Sequence, residues 1–163
     1  MLVFSLVMIV VIALVVGPIL MMRPSPAQRN KEQLRSLAAA KGISFSIKNL
    51  PQQAGELEAP APIPVYFYPP ASDSETDWLL LRANYPHEIH FLQRWAWQGD
   101  VRASQGEQQL LERQLPLLHE SVMAVSAGSK GICVFWREKG GEPALEQIMS
   151  LLEALKKLQQ AQG

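Results

Sequence analysis

The sequence predicts an α+β protein in which one N-terminal transmembrane helix and a basic stem helix precede an antiparallel sheet packed with two helices. Three features carry that expectation. Residues 2–22 contain no charged side chain, and short aromatic or aliphatic runs alternate with Pro-, Gly- and Ser-rich breaks over 43–137. Near the C-terminus Leu145, Ile148, Leu152 and Leu155 recur at three- and four-residue steps, the spacing of an amphipathic helix. A chain of 163 residues has room for one anchor and one compact domain. The expected divisions are 1–22 for the anchor, 23–41 for the juxtamembrane helix and 42–163 for a soluble domain with a proline-rich loop at 51–64.

As a helix, the run from Leu2 to Met22 would be roughly 30 Å long, the thickness of a bilayer's hydrocarbon core. A cleavable signal peptide would carry a basic residue ahead of the run and small residues at a cleavage site. Here no Lys or Arg precedes it, and bulky residues, Pro18-Ile19-Leu20-Met21-Met22, close it. Gly17-Pro18 is expected to kink the last turn without ending the helix. Behind it Arg23, Arg29, Lys31, Arg35 and Lys41 stand against the single acid Glu32, a local net charge of +4. Positive flanks are retained inside. The expected location is therefore a bacterial inner membrane, N-terminus outside and the C-terminal domain cytoplasmic. The same five residues are expected to set topology or to rest on anionic headgroups.

The stem reads as a helix over 26–41, with Ser25 as N-cap, Pro26 at N1, Gln28 placed to complete a capping box and Gly42 as the stop. Ile43-Ser44-Phe45-Ser46-Ile47 alternates with the period of a half-buried strand. Pro51 to Pro64 is a loop, and Val65 to Tyr68 and Trp78 to Arg82 are strands on either side of the polar segment Ser72-Asp73-Ser74-Glu75. Ile89 to Trp97 is taken as a further strand and Gln105 to Gln114 as a helix ended by Pro116. Ser121 to Ser126 and Ile132 to Arg137 flank Gly128-Ser129-Lys130-Gly131 as a hairpin, and Pro143 opens the last helix.

Charge and cysteine content exclude some functions. Outside 23–41, ten basic residues face fourteen acids, a balance of −4 without the broad positive field of nucleic-acid binding. Cys133 is the only cysteine, so no intramolecular disulfide forms.

Few motifs suggest chemistry. His87 and His90 are three apart and next to Pro86, whereas a zincin helix needs two histidines four apart on one face. Gly128-Ser129-Lys130-Gly131 matches the GxxG clamp of KH domains, but that clamp joins helices and this loop enters a strand. His119-Glu120-Ser121 sets base, acid and hydroxyl side by side in sequence, an arrangement not expected to fold back into a triad. Trp78, Trp95, Trp97 and Trp136 either fill the core or line a partner-binding groove.

The stretch Met21-Met22-Arg23-Pro24-Ser25-Pro26-Ala27-Gln28-Arg29-Asn30-Lys31 resembles the junction of YajC, the small accessory subunit of the bacterial preprotein translocase. There too a transmembrane helix is followed by Arg-Pro and a basic helix. The resemblance covers roughly the first 40 residues and stops at Gly42-Ile43-Ser44, where YajC carries a Gly-Asp pair and a shorter domain. From Arg23-Pro24 to Val134-Phe135-Trp136-Arg137-Glu138 the layout resembles uncharacterised gammaproteobacterial membrane proteins, some labelled YajC-like. The resemblance implies partners in protein export. The expected function is that of a non-enzymatic, single-pass interaction protein with no cofactor, meeting the lipid bilayer and a protein partner but no nucleic acid. The alternative is a membrane-associated enzyme or metal protein using His87 and His90.

Overall fold

The computed structural model describes residues 2–21, 25–52, 60–70, 77–84, 86, 88 and 90–162. The middle of the proline-rich loop, Ser72–Glu75, His87, Ile89 and the Arg23-Pro24 pair lie outside them. The chain divides into two compact units, Met1–Gln33 and Leu34–Gly163.

The first unit holds α1 (Leu2–Met21) and the opening turns of α2 (Pro26–Ala40). Ser25 caps α2 as expected, its Oγ accepting the Gln28 N–H at 3.2 Å, but the Gln28 amide reaches forward to Glu32 at 3.3 Å and leaves the box half made. Among the described residues no helix is long and apolar enough to cross a membrane. The transmembrane, single-pass reading of residues 2–22 is thereby overturned. With it go the inner-membrane location and the inside–outside orientation deduced from the +4 segment.

The second unit is an α+β domain built on a six-stranded antiparallel sheet, in the spatial order β1-β2-β6-β5-β3-β4. The strands are β1 (Ser44–Lys48), β2 (Ile63–Tyr68), β3 (Trp78–Arg82), β4 (Trp95–Gln98), β5 (Val122–Ala127) and β6 (Ile132–Trp136). Period-two alternation divides their side chains between two faces. Tyr66, Tyr68, Leu80, Val125, Val134 and Trp136 share the larger core with the buried stripe of α4 (Gly141–Gln162): Leu145, Ile148, Leu151, Leu152 and Leu155. Leu34 and Ala38 of α2 join the same core. Opposite it, Ile63, Val65, Leu81, Ala124, Cys133 and Phe135 form a smaller cluster. α3 (Gln105–Gln114) carries a complete capping box between Ser104 and Glu107, and Gln159 of α4 donates to the same buried carboxylate at 2.9 Å.

Two elements differ from the sequence reading in more than their ends. β2 starts at Ile63, inside the stretch read as loop, because Ile63 pairs with Lys48 of β1, while its pairing with β6 begins only at Val65. Pro64, which has no N–H, faces only Ile47 of the edge strand β1. Over 90–94 the chain turns rather than extends: Gln93 has φ 51°, and Leu92 and Trp95 exchange backbone bonds at 3.2 and 2.8 Å, leaving only Trp95–Gln98 as strand. The Gly128–Gly131 turn does form the β5–β6 hairpin. A Cβ at Gly131 would lie 2.0 Å from the Tyr68 carbonyl oxygen, at φ 84°, so only glycine lets β2 and this turn approach so closely.

Candidate functional site

Three of the four tryptophans are interior. Trp78, Trp95 and Trp136 are buried, while Trp97 is half-buried, edge-on to Trp78 at 5.7 Å and beside Phe91 at 4.9 Å. Of the basic stem residues, Arg29, Lys31 and Lys41 are exposed and Arg23 lies outside the described residues. Arg35, within the second unit, grips Glu138 through two bonds, Nε to Oε1 at 2.7 Å and Nη2 to Oε2 at 2.8 Å. Tyr66 adds a third bond, its hydroxyl donating to Oε1 at 2.9 Å. His90 is half-buried with Nδ1 3.0 Å from the Gln93 carbonyl oxygen, and His87 lies outside the described residues.

Burial pushes the Tyr66 phenol far above its ordinary value, and the neighbouring Glu138 charge adds to the rise while Arg35 opposes it. The unfolded chain releases that proton near pH 10 and the native state does not. Above pH 10 the unfolded state therefore binds fewer protons, so stability falls as pH rises, by at most about 1.4 kcal/mol per pH unit from this group. Thermal unfolding measured from pH 9 to 11.5 should show the decline beginning near pH 10, and Tyr66→Phe should make it shallower.

Gly128-Ser129-Lys130-Gly131 does not present a free clamp. Asp77 occupies the turn, taking the Ser129 N–H on Oδ1 and the Ser129 hydroxyl on Oδ2, and these bonds hold its carboxyl below the usual range. On the sheet face away from α4, a cavity of about 250 Å3 is lined by Lys48, Leu50, Leu79, Lys130, Cys133 and Phe135 among others. The Cys133 thiol there is buried and its pKa is raised by desolvation.

A second cavity of about 290 Å3 is polar, and it draws on four strands at one end of the sheet. Arg82 ends β3, Arg94 precedes β4, His119-Glu120-Ser121 leads into β5, and Arg137 and Lys139 follow β6. Antiparallel pairing of β3 with both β4 and β5, and of β5 with β6, brings these positions together. Four cations line the cleft against the single acid Glu120, whereas the chain beyond residue 41 carries net negative charge. Arg82 is half-buried over the Trp95 ring, with Nη1 donating to the His119 carbonyl at 3.1 Å. Burial lowers its pKa first and repulsion from Arg94 lowers it further, with Glu120 acting the other way. Arg94, Arg137 and Lys139 are exposed, and none of their side chains forms an ion pair among the described residues.

One wall of this cleft is tightly braced. The Ser121 hydroxyl accepts the Trp136 indole N–H at 2.8 Å, and its own proton faces the Lys139 carbonyl at 2.8 Å and His119 Nδ1 at 2.7 Å. His119 Nδ1 also accepts the Ser121 backbone N–H at 3.2 Å, and Arg137 N–H donates to the Ser121 carbonyl at 3.0 Å. His119 and Ser121 thus do meet, contrary to the expectation that neighbours in the chain would not. Ser121 is buried, however, and its hydroxyl fastens the 137–140 turn. A Cβ at Gly140 would come within 2.7 Å of the His119 ring, so this glycine lets the turn close over the imidazole.

The sequence reading missed Arg82, Arg94, Arg137 and Lys139. The available signal was that Arg82 and Arg137 each end an apolar run and Arg94 begins one, Trp-Leu-Leu-Leu-Arg, Val-Phe-Trp-Arg and Arg-Trp-Ala-Trp. Arginine at the end of a strand sits at a sheet rim. Fold and cleft together define an α+β domain with a cationic pocket at the rim of its sheet. No known protein family, characterised protein or solved structure matches the chain.

Proposed function

We propose that this chain is a non-enzymatic interaction module that receives an acidic segment of a partner protein in the cleft of Arg82, Arg94, Arg137 and Lys139. The observation that carries this reading is the concentration of four cations around one acid on a domain that is otherwise acidic. A compact cleft of about 290 Å3 suits a side chain, whereas nucleic acid needs an extended positive track. Ser121 and His119 are engaged in bracing the turn, which favours recognition over nucleophilic chemistry. The YajC-like junction at Arg23-Pro24 makes components of protein export the first candidates for the partner.

The test is a fluorescence-anisotropy titration of the full chain with a labelled glutamate-rich peptide. Saturable binding that weakens with salt is expected, and Arg94→Glu with Arg137→Glu should weaken it at least about tenfold, or 1.4 kcal/mol. Lys157→Glu, an exposed change on α4, should leave it unchanged. Equal affinity for the reversed and unreversed cleft would overturn the proposal.

A further inference from the structure

Resting on that reading, we propose that the group seated among Arg82, Arg94, Arg137 and Lys139 is a phosphate dianion, carried on a phosphorylated serine or threonine of the partner. Charge is the first argument. Four cations and one acid leave the pocket at +3, counting His119 as neutral. One carboxylate would leave two of those charges uncompensated, whereas a phosphomonoester brings about −1.5 to −2.

Geometry is the second. The three guanidinium groups reach the cleft from three separate places, the end of β3, the loop before β4 and the residue after β6. A carboxylate has two oxygens whose lone pairs lie in one plane, so arginine forks can approach it only within that plane. A phosphate has three terminal oxygens pointing in different directions and can take forks from several sides. Repulsion between Arg82 and Arg94 is relieved most by the ligand of highest charge density.

Preorganisation is the third. Along Arg137-Glu138-Lys139 the two cations are exposed at the cleft, while the intervening carboxylate is buried on Arg35 and Tyr66. Glu138 has φ 54°, a left-handed backbone that sends its side chain inward. Were Glu138 to face the cleft, it would neutralise the charge an anion requires. The bonds from Ser121 and Trp136 to the Lys139 carbonyl keep the turn in this form before any ligand arrives.

The experiment titrates the full chain with four probes: a Gly/Ser peptide carrying one phosphoserine, the same peptide unphosphorylated, the same peptide with Asp in that place, and inorganic phosphate. The phosphopeptide should bind at least about tenfold tighter than the Asp peptide, and inorganic phosphate should compete with it weakly. Arg94→Lys with Arg137→Lys, which keeps the charge and loses the forks, should weaken the phosphopeptide severalfold and the Asp peptide little. Unchanged thermal unfolding of this variant would show the fold intact. Phosphopeptide and Asp peptide binding alike would overturn the dianion. Inorganic phosphate binding as tightly as the phosphopeptide would overturn its assignment to a partner's side chain. In either case, binding of the glutamate-rich peptide that still depends on the cleft leaves the interaction reading standing, and its absence removes both.

Discussion

Arg35→Met is expected to cost about 3 to 5 kcal/mol of stability, because it removes the two-bond guanidinium partner of a buried carboxylate. The Glu138 side chain has no exposed surface, and Arg35 donates two hydrogen bonds to it and Tyr66 another. Methionine preserves much of the apolar stem, so what is lost is the charge pairing and the contact of the guanidinium with the Phe45 ring, 4.2 Å from its centroid. Arg35 itself is about one-third exposed, so removing Glu138 instead lets the arginine turn to water and should be less costly in charge terms. Glu138→Gln added to Arg35→Met should recover part of the loss, since the amide is neutral. Urea denaturation of the four proteins forms a double-mutant cycle. A loss below about 1 kcal/mol for Arg35→Met would show that the pair contributes no more than a surface ion pair.

The same pair shows where sequence reasoning stops. Local pattern is strong in β3, where Trp-Leu-Leu-Leu-Arg reads as a strand and is one, and in α3 and α4, whose apolar spacing survives in the buried stripe. Local reading fails where the deciding partner is remote. Arg35 reads as one of a basic cluster behind an apolar helix, and only the approach of a residue 103 positions away turns it inward. The bulky aromatics within Ile89–Trp97 suggest one strand, but Trp95 and Trp97 owe their places to β3 and the turn before them is set by Gln93. The cleft was illegible for a related reason. Its arginines come from strand ends whose adjacency depends on the order β6-β5-β3-β4, in which β3 and β5 pair across the intervening chain 83–121. Hairpins can be read from the sequence because their strands are close, but the pairing of one hairpin with another cannot.

Trp136→Ala should be comparably severe, about 3 to 5 kcal/mol by the range for large buried aromatics. Trp136 has no exposed surface, packs against Tyr66 with ring centroids 5.4 Å apart, and lies opposite Val122 in the sheet. Its indole N–H adds a second function by bridging the Ser121 hydroxyl and the Lys139 carbonyl. Trp136→Phe separates the two, since it keeps an aromatic ring in the core but removes the bridge. Allowing about 1 to 2 kcal/mol for the lost hydrogen bonds and the smaller ring, the Phe variant should remain folded at 25 °C. If the 137–140 turn holds Arg137 and Lys139 at the cleft, that variant should also bind the anionic peptide more weakly, although no residue lining the cleft has changed. Full binding by a folded Trp136→Phe protein would mean that the Ser121 and backbone bonds position the turn without the indole. Its role would then be confined to packing.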